Sequence, residues 1–182
     1  MQPTRPSIRD FCFVGIFTAI IAVCAQISIP MPVGVPMTMQ TFAIPLAGIV
    51  LGKKNGTLST ALYILLGLMG APVFAGFTGG LGVIFGRTGG FILSFPLMAF
   101  TAAIGAEKDH DLWLLYWLIV GVVINFLCGL LMYSFVTSAG LMLSFSSAVA
   151  PFIPTAIVKI VMVAAIGTRV KMALIKADLI NY

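Results

Sequence analysis

Charge is what this chain has least of. Ten basic and five acidic residues are spread over 182 positions, with a single histidine. A soluble domain carries about 25% charged residues, against 8% here. That excludes a domain facing water on all sides. The acids are Asp10, Glu107, Asp109, Asp111 and Asp178, and none stands inside a long apolar run. No intramembrane carboxylate pair is therefore available for acid–base chemistry, or for coupling transport to protons or sodium. Cysteine is just as sparse. Cys12, Cys24 and Cys128 sit in apolar stretches at spacings that match no zinc or redox pattern, which leaves them as small buried hydrophobes. His110 lies between two aspartates and has no metal-ligating company. Gly79-Gly80-Leu81-Gly82 lacks the Gly-Lys-Ser/Thr of a phosphate loop. No catalytic residue, metal site or cofactor is expected. Nucleic acid is not an expected partner either, because the net charge of +5 is not gathered on one element.

What is present is apolar. Hydrophobic residues make up 60% of the chain, and the mean hydropathy is +1.15. The expected class is an all-α integral membrane protein, a single domain over residues 1–182 with the lipid bilayer as its surroundings. At roughly 20 residues per span, six spans and their loops use the whole length. No room remains for a soluble ATP-binding domain. The charge-free intervals place the spans at Phe11–Pro30, Met39–Gly52, Thr57–Gly70, Gly89–Ala106, Leu112–Ser134 and Phe152–Arg169. Arg5 and Arg9 before the first stretch resemble a signal peptide, but no small-x-small cleavage site precedes a polar region, so the stretch is read as a retained span. The second and third spans are short enough to be re-entrant. A re-entrant hairpin would carry Lys53 and Lys54 to mid-membrane at several kcal/mol each. A surface turn at Gly52-Lys53-Lys54-Asn55-Gly56 is the cheaper arrangement.

With both termini in the cytoplasm, eight of the ten basic residues fall inside, as the positive-inside rule asks. All five acids fall there too. Arg87 and Lys159 are left in the outer half. The outer loops are apolar. One is the proline-rich run Ile29 to Pro36, and the other is the glycine-rich run Ala71 to Thr88. Either they cover an outward-facing cavity or they rest on lipid headgroups.

Lys159 needs a counter-charge and has no acid nearby in sequence. A ligand carboxylate is one answer, and snorkelling to the outer headgroups is the other. Asn125, mid-span, needs partners from a ligand amide or from a neighbouring helix. Gln40 faces the same choice. Thr78 and the amides around Gly79 and Gly80 are further donors, and Phe74, Phe77 and Phe91 are candidates for an apolar wall. On the first span Gly15/Ala19 and Thr18/Ala22 form small-residue pairs at i,i+4 that suit close docking of another helix.

These segments together resemble the BioY family, the biotin-specific substrate-binding (S) components of energy-coupling factor (ECF) transporters. The resemblance rests on Val35-Pro36-Met37-Thr38-Met39-Gln40, Gly67 to Gly76, Gly79-Gly80-Leu81-Gly82, Gly86-Arg87-Thr88-Gly89-Gly90-Phe91 and Pro151-Phe152-Ile153-Pro154 followed by Lys159. It implies a six-helix protein of the cell membrane that captures biotin from outside. The implied partners are a transmembrane T component and a pair of ABC-type ATPases, which alone would hydrolyse ATP. It also implies that Lys159 meets the biotin carboxylate, with Asn125, Gln40 and the Gly79-Gly80 loop as further polar contacts. Two departures stand out. The family has an aspartate three residues before the lysine, where this chain has Ala156. The family's Ala-x-x-x-Ala docking pattern is absent, since Ala19, Ala22 and Ala25 recur at threes, so Gly15/Ala19 or Thr18/Ala22 must serve. The alternatives are S-component-like uptake of a related carboxylate, such as lipoate or a biotin precursor, and a scaffold role without transport.

Overall fold

Ser7 opens the first helix, α1 (Ile8–Gln26). Its hydroxyl accepts from the Arg9 N–H at 3.3 Å, and its own N–H donates to the Asp10 carboxylate at 2.8 Å. Two donors at the helix end are thereby satisfied reciprocally. The computed structural model describes residues 7–108 and 110–179; Arg5 and Asp109 lie outside the described residues. After α1, β1 (Ser28–Ile29) pairs antiparallel with β2 (Met37–Thr38), joined by residues 30–36. The first span therefore stops at Gln26, and the residues expected to complete it form the hairpin.

The next helix, α2 (Gln40–Leu68), is interrupted at Gly52, with φ 76° and ψ −179°. Glycine adopts that backbone without the Cβ penalty. In an unbroken helix Gln40 and Tyr63 would stand roughly 34 Å apart at 1.5 Å per residue. Instead the Gln40 amide donates to the Tyr63 hydroxyl. The arms 40–51 and 53–68 are thus antiparallel. The reversal occupies one residue, so Lys53 to Gly56 belong to the second arm and not to a longer turn.

Short helices follow: α3 (Leu81–Ile84), α4 (Gly89–Leu93) and α5 (Phe95–Gly105). The single span expected over Gly89–Ala106 is divided before Pro96, which cannot donate to the carbonyl one turn back. At this break side chains supply donors. The Phe91 carbonyl accepts from Asn125 Nδ2 at 2.8 Å and from the Ser94 hydroxyl at 2.9 Å. Next, α6 (Asp111–Thr137) ends at Ser138 in a left-handed conformation. Then come α7 (Leu141–Ala148), which the sequence did not signal, a 3-10 turn (Ala150–Phe152) and α8 (Ile153–Lys176). The stretches Ile8–Gln26, Asp111–Thr137 and Leu141–Lys176 are long and apolar enough to cross a membrane.

Small residues bring these helices together, as expected where lipid supplies no hydrophobic drive. A Cβ on Gly48 would lie 2.1 Å from the Ala99 carbonyl oxygen, so α2 and α5 touch backbone to backbone. Gly90 of α4 meets the Cys128 carbonyl of α6 in the same way, at 2.2 Å. The faces of α6 invert the pattern of a soluble helix. Tyr116, Ile119, Val123, Leu127 and Leu131 are exposed, while Gly121, Asn125 and Gly129 are buried.

Charged groups gather at one end of the bundle. Lys53 and Glu107 form an ion pair at 2.7 Å. Asn55 Nδ2 donates to Asp10 at 3.0 Å, and Arg9 donates to the Asp178 carbonyl at 2.6 Å. The start of α1, the α2 reversal and the ends of α5 and α8 therefore share that end. Gln26, Gln40 and the start of α8 lie at the other.

Candidate functional site

At the end remote from the Lys53–Glu107 ion pair the helices enclose a cavity of ≈390 Å³. Its walls come from residues 34–41, the segment from Phe74 to Phe91, α5, α6 and the first turns of α8. That is within the usual size of small-molecule sites, about 300–1,000 Å³. Phe74, Phe91, Phe95, Phe126 and Phe152 make most of it apolar.

Lys159 lies on α8, roughly 9 Å along the axis from Ile153 at 1.5 Å per residue. Its ammonium is turned into the protein, donating to the Thr38 carbonyl at 2.6 Å and to the Thr41 hydroxyl at 3.0 Å. An ammonium has three donors, so one N–H remains for an occupant of the cavity. Arg87 also lines the cavity, beside Gly34, and has no ion-pair partner among the described residues. No aspartate or glutamate is among the lining residues. The cavity thus presents two cations and no carboxylate. Among the described residues no group of three His, Cys, Asp or Glu side chains could hold a metal ion.

The polar side chains are largely spoken for. Asn125 spends both amide hydrogens on Phe91 and on the Ser94 hydroxyl, each at 2.8 Å, which leaves only its Oδ1 for the cavity. The neighbouring helix, not a ligand, takes its donors. Gln40 accepts from the Thr38 hydroxyl at 2.9 Å and donates to Tyr63, whose hydroxyl donates to the Val73 carbonyl at 3.1 Å. A hydrogen-bonded chain therefore runs from Lys159 through Thr38, Gln40 and Tyr63 to Val73. Thr78 donates to the Ala75 carbonyl at 2.9 Å and keeps its acceptor capacity.

Lys159, Asn125, Gln40, Thr78, Phe74, Phe91 and Ala156 all reach this one cavity. Three other candidates do not. Gly79 is pressed on the Ala71 backbone, where a Cβ would lie 2.3 Å from its carbonyl oxygen, and the Gly80 N–H is used by the Gly67 carbonyl at 2.6 Å. Neither glycine lines the cavity. Phe77 is 72% exposed and is no part of the wall. On α1, Gly15 and Ala19 are exposed, with open space beside Gly15. Thr18 is buried, its hydroxyl donating to the carbonyls of Val14 at 2.8 Å and Ser59 at 3.1 Å, and Ala22 packs on the core. The Thr18/Ala22 pair is therefore withdrawn from any docking surface. The residues missed were Arg87 and Thr41. Arg87 had a signal, since it was the other cation left over in the outer half. Thr41 had none, because a threonine gains meaning only from where α2 sets it.

The family model described as the BioY family matches residues 1–176. The chain belongs to the BioY family. It is 42% identical over 164 residues to the biotin transporter BioY of Thermotoga maritima, covering 90% of this chain and 96% of that protein. It is 40% identical to a probable biotin transporter BioY of Pyrococcus horikoshii, with 90% and 96% covered. Its fold is similar to the crystal structure of the S-component for biotin from an ECF-type ABC transporter. The TM-score is 0.84 at 24% identity, over 94% of this chain and 95% of that one. The chain accordingly shares the helical fold of that protein.

Proposed function

We propose that this BioY-family protein captures biotin at the outer face of the cell membrane and is the substrate-binding subunit of an ECF-type transporter. The observation that carries this reading is a largely apolar cavity lined by Lys159 and Arg87 with no carboxylate in its walls. Such a cavity asks for an apolar ligand with one anionic end, and biotin has that form. The free N–H of Lys159 takes the valerate carboxylate, and Arg87 adds to the positive potential. Asn125 Oδ1 and the Thr78 hydroxyl accept from the ureido N–H groups. Phe74 and Phe91 cover the apolar rings, Ala156 completes the wall near Lys159, and Gln40 orders the cavity floor. The names of the Thermotoga maritima and Pyrococcus horikoshii relatives support the choice of biotin.

In this reading the chain crosses the membrane six times. The ion-paired end and both termini face the cytoplasm, as its concentration of basic residues favours. A transmembrane T component docks on the Gly15/Ala19 face of α1, and partner ATPases supply the energy. Titration calorimetry of the purified protein tests it. Saturable binding of biotin at one site is expected, and absence of heat with folded protein would overturn the reading.

Ala156 favours one second reading. A methyl in that wall offers the ureido N–H groups no acceptor, so a carboxylated ligand without the ureido ring fits too. Competition separates the two. Lipoate displacing biotin at equal or lower concentration would favour the second.

A further inference from the structure

We propose that Gln26, which lines no part of the cavity, is the positioning residue that holds one of its walls. The inference rests on the reading of the cavity as the ligand site.

The wall is the short hairpin 74–78. Phe74 and Thr78 exchange backbone hydrogen bonds, N to O at 2.9 Å and 3.3 Å, and both side chains reach the cavity. The turn between them is unfavourable by itself. Gly76 has φ 69°, and Phe77, which is not glycine, has φ 55°. A bulky residue holds a left-handed backbone only where its surroundings dictate it. The Phe77 ring is exposed and contributes nothing to that.

The dictating contact comes from the last residue of α1. Gln26 Oε1 accepts from the Phe77 N–H at 2.9 Å. Gln26 Nε2 reaches the carbonyls of Phe74 at 3.1 Å and Val73 at 3.3 Å, and of Ala22 in its own helix at 3.1 Å. One side chain thus grips the hairpin at both limbs, by donor and by acceptor. The Val73 carbonyl also accepts from Tyr63, the end of the chain that begins at Lys159. The clamp is therefore connected to the ligand-facing cation through hydrogen bonds that run by way of Tyr63, Gln40 and Thr38. It fixes the wall to α1, the helix whose Gly15/Ala19 face is open.

A clamp on a wall acts on ligand release. Gln26→Met keeps the length and removes all four of these bonds. Biotin dissociation from the full-length protein is expected to quicken about tenfold, the order of one or two net hydrogen bonds. Amide exchange over 74–78 in the ligand-free protein is expected to rise by a similar factor. Phe77→Asn then distinguishes the clamp from mere packing of α1, because asparagine tolerates the left-handed backbone. Added to Gln26→Met, it is expected to restore slow release at least in part. If Gln26→Met does not accumulate folded, Gln26→Asn, one methylene shorter, gives the same comparison.

Unchanged exchange over 74–78 overturns the proposal. So does raised exchange with an unchanged dissociation rate, or a fast release that Phe77→Asn leaves fast. If the wild-type protein binds no biotin, the ligand reading falls, and the exchange measurement alone judges the clamp.

Discussion

Lys159 and Arg87 carry the same charge in different settings. Lys159 is tied to Thr38 and Thr41 and is half-buried. Arg87 is exposed at the cavity mouth, against Gly34. Lys159→Ala is expected to weaken biotin binding about 10- to 100-fold, the worth of a charge-assisted hydrogen bond. It should barely affect a biotin ester, which brings no charge. Arg87→Gln is expected to weaken binding less, and its effect should fade with added salt because exposed charges are screened within about 10 Å at 0.1 M. Calorimetry at two salt concentrations checks both. Asn125 is a different case. Its amide donates to the Phe91 carbonyl and the Ser94 hydroxyl at the α4–α5 break. Asn125→Leu removes both of these hydrogen bonds, although the Phe91 carbonyl keeps the Ser94 hydroxyl, and is expected to cost about 1–3 kcal/mol, read as a lower unfolding temperature without ligand. The sequence marked Asn125 as needing partners, but could not choose between helix and ligand. That choice depends on where α4 breaks, and Pro96 announces a break without saying which side chain will mend it.

Among the elements, boundaries were legible where charge or a helix breaker set them, and facings were not. The α2 reversal was signalled by Gly52 and the two lysines after it. The ends of α1, α6 and α8 lay within a few residues of the expected ones, apart from the extension of α8 to Lys176. Facing is hidden because both sides of a membrane helix are apolar. On α6 the lipid side carries Leu and Ile and the inner side Gly and Asn, so no period in hydropathy separates them. For the same reason Thr18/Ala22 and Gly15/Ala19 looked equivalent in the sequence, while the fold buries Thr18, packs half-buried Ala22 on the core and exposes Gly15 and Ala19. Under the proposed function, docking therefore falls to the Gly15/Ala19 face. Gly15→Phe places a ring in open space. It is expected to leave biotin binding by the isolated protein within about twofold, because nothing on the cavity side is touched. It should abolish uptake in cells that hold the complete transporter. Loss of binding alongside uptake would place the defect in the fold instead.

For the molecule as a whole, the few charges form a map. The Asp10 and Glu107 carboxylates and the Asp178 backbone carbonyl meet their partners at one end, and Lys159 and Arg87 face the cavity at the other. The sequence displayed that division because most of its charges fall in alternate loops between the apolar runs. It did not display the cavity, which is built from five separate stretches. Topology can be read directly in a protein whose Cys12, Cys24 and Cys128 are replaced by alanine. A cysteine introduced at Val33 is expected to react with a membrane-impermeant maleimide in intact cells, and one at Lys54 only after lysis. The reverse pattern would invert the orientation.

The reversal at Gly52 also bears on how the chain is made. Its arms are roughly 18 and 24 Å long at 1.5 Å per residue, and the hydrocarbon layer is about 30 Å thick. Neither arm suits lipid by itself. In the finished protein Ile44, Ala47, Ile49 and Val50 are fully covered, and Ala99 of α5 and Gly167 of α8 are among their neighbours' contacts with α2. Those covering helices are synthesised later. The inner face of the hairpin therefore gains its final neighbours only once α5 and α8 have emerged.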